Sequence, residues 1–204
     1  MTAPVVPADD PTAVERAAKA LLAGGLVVLP TETVYGLAAL ASDPVATRAL
    51  FERKGRDADV PVAVLCADAE QAMALAEGRS LATELAEAHW PGPLTMVLPR
   101  RPGLGWALGE PTDTIGLRCP DHDLVRALAA RVGPLATTSA NRHGHPTPAS
   151  ATDAAEQLLG DVDLVLDGGQ LSGTPSTVVD LTGGTLRILR QGGVLIDATE
   201  PGSA

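Results

Sequence analysis

The stretch LVVLPTETVYGLAAL, residues 26–40, constrains the fold more than any other part of the sequence. Val27, Val28 and Leu29 form a short β-branched apolar run, the length of a buried strand. Pro30 ends the run, because proline donates no hydrogen bond to a central ladder. Thr31, Thr33 and Tyr35 then place hydroxyls in quick succession, with Glu32 among them and Gly36 where the chain can turn. A strand that releases hydroxyls at its end suits a ligand site in an open α/β sheet. The same threonines also suit the capping of a turn or of the next helix.

The rest of the chain alternates between helical and strand patterns. Helices are expected over residues 11–23, 44–53, 69–78, 80–89, 121–132 and 151–159. The first has Asp10 as cap, Pro11 in its first position, a Thr12–Glu15 capping box and Gly24 as its stop. Its buried stripe would be Val14, Ala17, Ala18 and Leu21. Strands are expected at 27–29, 60–66, 95–98, 114–119, 135–138, 164–166, 176–181 and 186–189. This alternation implies an α/β fold, a largely parallel or mixed sheet covered by helices. With 204 residues and neither an internal repeat nor a splitting linker, one domain is expected, with residues 1–9 and 197–204 as loose termini.

Composition removes several function classes. Aromatic residues are 2% of the chain, too few for a platform on which nucleic-acid bases stack. A net charge of -10 opposes broad binding to a phosphate backbone, while leaving room for a local basic pocket. Cys66 and Cys119 each lie in an apolar run and read as reduced core residues. The N-terminus has neither the basic region nor the apolar stretch of a signal peptide, and no segment approaches a membrane span. The expected location is cytoplasmic.

Polar clusters follow several of the expected strands. Lys54 and Arg56 flank Gly55 at a helix end, where they could complement the helix dipole or clamp a phosphate or carboxylate. Lys54 stands out because, of 15 basic residues, only Lys19 and Lys54 are lysines. Thr137, Thr138, Ser139 and Asn141 crowd the end of another strand, a polar uncharged group suited to ribose, base edges or an amino-acid hydroxyl. Arg118 closes the strand TIGLR, as an edge charge or a carboxylate anchor. Arg190 occupies a similar position before Gln191 and two glycines. Residues 168–176 form a glycine-rich loop that matches neither a P-loop nor a dinucleotide fingerprint. His143 and His145 read as exposed, so no metal ligands are assigned. Without a nucleophile–base pair, the set can act by positioning and charge neutralisation, the logic of phosphoryl or nucleotidyl transfer.

Several motifs together resemble the YrdC/TsaC family of threonylcarbamoyl-AMP synthases. They are PTETVYGL (30–37), KGR (54–56), WPGPLT (90–95), GLRCP (116–120), TSAN (138–141), STVVDL (176–181) and RQGG (190–193). The resemblance implies a single-domain fold with a twisted mixed sheet around a deep basic cavity. It implies that L-threonine, bicarbonate and ATP, with Mg²⁺, yield threonylcarbamoyl-adenylate and pyrophosphate. Partner threonylcarbamoyl-transferase proteins would then modify adenosine 37 of tRNA, so contact with tRNA would be indirect. By resemblance, Lys54 and Arg56 are catalytic and, with Ser139, Asn141 and Arg190, hold the nucleotide. Thr33, Arg118, Thr138 and Ser176 would hold threonine, and Thr31 and Tyr35 would line the cavity. The family often has proline after the KxR arginine; here it is Asp57. The alternative is a paralogue of this fold that binds nucleotide or RNA without synthase activity.

Overall fold

The computed structural model describes residues 3–55, 60–78 and 80–196. Arg56 and Asp57, and the tail expected to be loose at 197–204, lie outside the described residues. The elements in chain order are β1 (Val5–Pro7), α1 (Ala13–Leu22), β2 (Val27–Leu29), β3 (Gly36–Leu40), α2 (Pro44–Lys54) and β4 (Ala63–Leu65). There follow α3 (Ala69–Met73), α4 (Ser80–His89), β5 (Leu94–Pro99), β6 (Thr114–Arg118), α5 (Asp123–Val132) and β7 (Leu135–Ser139). The last four are α6 (Ala151–Gln157), β8 (Leu164–Asp167), β9 (Thr177–Asp180) and β10 (Arg187–Arg190).

These strands make one mixed sheet in the order β1-β8-β2-β3-β7-β4-β6-β5-β9-β10. Two features of the sheet differ from the sequence reading. Residues 5–7 are not loose: Val5, Val6 and Pro7 pair in parallel with Val165, Leu166 and Asp167. Val6 is thereby buried, which repays ordering the chain's start. The other is β3, read as a turn at Gly36 followed by no strand. Its core is alanine-rich and so lacks a β signature, yet it pairs along its whole length with β7, Gly36 facing Ser139 and Leu40 facing Leu135. Any side chain at Gly36 would collide with Thr137, whose Cγ2 lies 2.8 Å from where a Cβ would stand.

Several helix starts follow their capping chemistry, while α1 and α5 have no side-chain cap. Asp43 accepts from the backbone N–H groups of Val45 and Ala46, and Asp68 from that of Gln71. The expected Thr12–Glu15 box is absent. Asp10 accepts instead from both the backbone N–H and the hydroxyl of Thr12, which occupies the side chain that would have capped. Helix α1 therefore begins at Ala13, and Ala13 rather than Val14 joins Ala17, Ala18 and Leu21 in its buried stripe.

The strands divide their side chains between two cores with period 2. Val28, Leu37, Ala39, Ala136 and Val165 face one core with α2, α3, α4 and α6. Val27, Leu29, Ala38, Leu135, Leu164 and Leu166 face the other, with α1 and α5. The first core runs the length of the sheet and includes Met96, Leu117 and Val179. The second ends at Leu65 of β4, and β5, β6 and β9 contribute nothing to it. One face of those three strands is left without helical cover, and this positions the site.

Candidate active site

On that uncovered face lies a cavity of about 440 Å³. Its floor is the alternate residues of neighbouring strands: Thr137 and Ser139, Ala63 and Leu65, Thr114, Gly116 and Arg118, Thr95 and Val97. Intervening residues such as Met96 and Leu117 are in the opposite core. Sequence reasoning placed the site at strand ends; the structure places much of it across a sheet face. Thr137 belongs to the polar cluster the sequence singled out, whereas Thr95 and Thr114 were missed as lining residues, although their alternation with apolar neighbours is the signature of a strand with one solvated face.

The loop between β2 and β3 walls one side. Thr31 Oγ donates to Val34 O at 2.7 Å and accepts the backbone N–H of Val34 at 3.1 Å, so the turn is knitted by its own hydroxyl. With that proton committed, Thr33 is the donor in the 2.8 Å contact between the two hydroxyls. Thr33 Oγ in turn accepts from Arg118 Nη2 at 3.0 Å. Capping and site-building are therefore one network. Arg118 also donates from Nε to Gly92 O at 3.2 Å and from Nη2 to Glu32 Oε1 at 2.8 Å.

The opposite wall carries a second cation. Arg190 Nη2 donates to Ser176 O at 2.9 Å and Ser176 Oγ at 3.1 Å. Ser176 Oγ lies 2.9 Å from Thr95 Oγ, which anchors the group to the cavity floor. Burial depresses the Arg190 pKa, and the nearby charge of Arg118 depresses it further. Two guanidinium groups thus face a common space with hydroxyls between them. Thr138 also lines this space. No carboxylate is among the described lining residues, so the cavity suits an anion.

Lys54 serves differently. It is the last residue of α2, closed by Gly55 in the left-handed conformation at φ 61°. Its ammonium donates to Ser139 O at 2.6 Å, Asn141 Oδ1 at 2.9 Å, Ser139 Oγ at 3.0 Å and Asn141 O at 3.1 Å. Asn141 Nδ2 then holds His145 O at 2.6 Å. Lys54, Ser139 and Asn141 come together as expected in sequence, but as a buried knot that fixes the turn after β7. Tyr35, expected to line the cavity, is instead fully buried behind it. Its hydroxyl donates to Gly169 O at 2.7 Å and accepts from Gly168 N at 3.0 Å.

A broader hollow of about 700 Å³ lies elsewhere, lined by Asp9, Asp121, His122, Asp123 and Asp167 among others. It is acidic and offers no cation to a substrate anion. Cys66 and Cys119 are buried free thiols, as the sequence implied. No helix among the described residues is long and apolar enough to cross a membrane.

Fold and site together define an α/β protein whose mixed sheet carries a two-arginine, hydroxyl-lined cavity. The chain belongs to the Sua5/YciO/YrdC family, whose model, described as "Telomere recombination", matches residues 19–192. A Mycobacterium tuberculosis relative is 45% identical over 86% of this chain and 82% of its own length. The threonylcarbamoyl-AMP synthase of Vibrio campbellii is 35% identical over 87% of this chain and 98% of its own. Among solved structures, Pyrococcus abyssi Sua5 complexed with L-threonine matches with a TM-score of 0.85 and 38% identity, covering 94% of this chain and 57% of that one.

Proposed function

We propose that this chain is an L-threonylcarbamoyl-adenylate synthase. It would combine L-threonine, bicarbonate and ATP and release pyrophosphate, and a partner transferase would carry the product to adenosine 37 of tRNA. The observation that carries this reading is the pair of guanidinium groups, Arg118 and Arg190, across a cavity lined by Thr31, Thr95, Thr138 and Ser176. A substrate that carries both a carboxylate and a phosphate matches that pair of cations.

The chemistry follows from the charges. Threonine's amine adds to the carbon of bicarbonate, water leaves, and a carbamate forms. A carbamate oxygen then attacks the α-phosphorus of ATP; that P–O bond forms as the bond to the β-phosphate oxygen breaks, and pyrophosphate departs. Arg118 would take the threonine carboxylate, with Thr33, Thr138 and Ser176 supplying hydroxyls. Arg190 would face the developing phosphate charge. Lys54 would hold the Ser139–Asn141 turn against the nucleotide, and Arg56, two residues on in sequence, would add the second cation of the KxR motif. The described residues contain no cluster of acidic or histidine side chains that could hold a metal. Mg²⁺ would arrive with ATP, held by phosphates and water.

The test is pyrophosphate release from ATP with Mg²⁺, omitting threonine and bicarbonate in turn, with mass spectrometry for the adenylate. Release that requires both is expected. ATP binding without release would point instead to a nucleotide-binding paralogue.

A further inference from the structure

Glu32 sits outside the cavity yet controls how its main anchor points into it. Arg118 spends its Nε–H on Gly92 O and its two Nη2 hydrogens on Thr33 Oγ and Glu32 Oε1. No acceptor among the described residues meets Nη1. Arg118 lines the cavity, whereas neither Glu32 nor Gly92 does. One edge of the guanidinium is thus fully committed to protein, and the end left over is Nη1, with two N–H groups.

Glu32 is itself immobilised. Its Oε1 also accepts the backbone N–H of Asp121 at 3.0 Å, in the segment joining β6 to α5. Glu32 therefore ties three things that are distant in sequence: the hydroxyl loop, the arginine at the end of β6, and the chain entering α5. Its side chain is only 20% exposed, and Oε2 is buried without a hydrogen-bond partner. Leaving a buried carboxylate oxygen unsatisfied is costly. A carboxylate facing the anchor also weakens the pull of that anchor on an anion. A residue that costs the fold stability and costs the site charge has its return in geometry. An arginine held on three sides needs little further ordering when a carboxylate arrives.

We propose that Glu32 is a positioning residue for amino-acid capture, orienting Arg118 so that Nη1 meets the carboxylate of L-threonine. This rests on the synthase reading above. Glutamine at this position keeps an acceptor at Oε1 for both Arg118 and the Asp121 N–H, while alanine removes it.

The experiment is titration calorimetry of the full chain with L-threonine and, separately, with ATP, alongside steady-state kinetics. For Glu32→Ala, the Kd for L-threonine should rise by about tenfold or more, the loss expected for a charge-assisted contact, while ATP affinity holds. KM for threonine should rise with kcat at saturating threonine retained. Glu32→Gln should keep most of the threonine affinity, a rescue that a purely electrostatic role would not give. Glu32→Asp serves if the alanine variant does not fold. It is one methylene shorter, cannot reach Arg118 and Asp121 together, and should also weaken threonine selectively. The proposal is overturned if Glu32→Ala or Glu32→Asp binds threonine like wild type, or if threonine and ATP affinities fall in parallel. A wild-type chain that does not bind threonine overturns the synthase reading and this inference with it. Wild-type binding with indifferent variants removes only the role of Glu32.

Discussion

Lys54 shows why one lysine persists in a chain that otherwise favours arginine. Its ammonium meets four oxygens from Ser139 and Asn141 at 2.6–3.1 Å, and its side chain is 3% exposed. A compact ammonium with rotatable donors fits such a nest, and a planar guanidinium fork does not. Lys54→Arg is therefore expected to be nearly as damaging as Lys54→Met, despite keeping the charge. Each should lower unfolding free energy by about 1.5–3 kcal/mol, the scale of losing charge-assisted hydrogen bonds. Denaturant unfolding measures this, and an Lys54→Arg variant as stable as wild type would refute the argument. The sequence singled out Lys54, Ser139 and Asn141 because unusual residue types stood where strands and helices end. It could not say that they bind one another, since 85 residues separate Lys54 from Ser139.

At the scale of elements, what was legible was periodicity, and what was hidden was cover. In TIGLR the structure turns Thr114, Gly116 and Arg118 to the cavity and Leu117 to the core, and in LTMVL it turns Thr95 and Val97 to the cavity and Leu94, Met96 and Leu98 to the core. Read as strands with no face assigned, they concealed the site's floor. The missing information was where α1 and α5 stop, which depends on sheet order and not on any local pattern. Strand β3 was hidden for a different reason: its pairing with β7 outweighs the weak β preference of its alanines. Tyr35, the residue before that strand, makes a prediction about the glycine-rich segment. Its hydroxyl satisfies both Gly168 N and Gly169 O, at the start of the segment that leads to Ser176. Tyr35→Phe removes both hydrogen bonds with no change of shape. Stability should fall by about 1–3 kcal/mol. KM for threonine should rise as residues 168–175 loosen, while kcat changes less. Unchanged unfolding and kinetics would show that the segment is held elsewhere.

Across the whole molecule, charge is partitioned between two concavities. The net charge is -10, yet the cavity on the open sheet face has Arg118 and Arg190 and no carboxylate among its described lining residues. The acidic hollow collects Asp9, Asp121, Asp123 and Asp167 around His122. The imidazole of His122 lies near Glu32, Asp121 and Asp123, each of which favours its protonation, but burial outweighs them and its pKa falls below the ordinary 6.5. Its Nδ1 is buried without a hydrogen-bond partner. The folded state therefore binds a proton at this site less readily than the unfolded chain does. Stability from this group is complete above pH 6.5 and is lost as pH falls through 6.5 towards the depressed folded value. Thermal melts between pH 8 and pH 5.5 should show Tm falling on the acid side, and His122→Gln should flatten that part of the profile. Glu32 ties this end of the molecule to Arg118, so threonine affinity should weaken over the same interval in wild type and less in His122→Gln. A slope that survives the substitution would assign the acid sensitivity to other groups and separate the two concavities energetically.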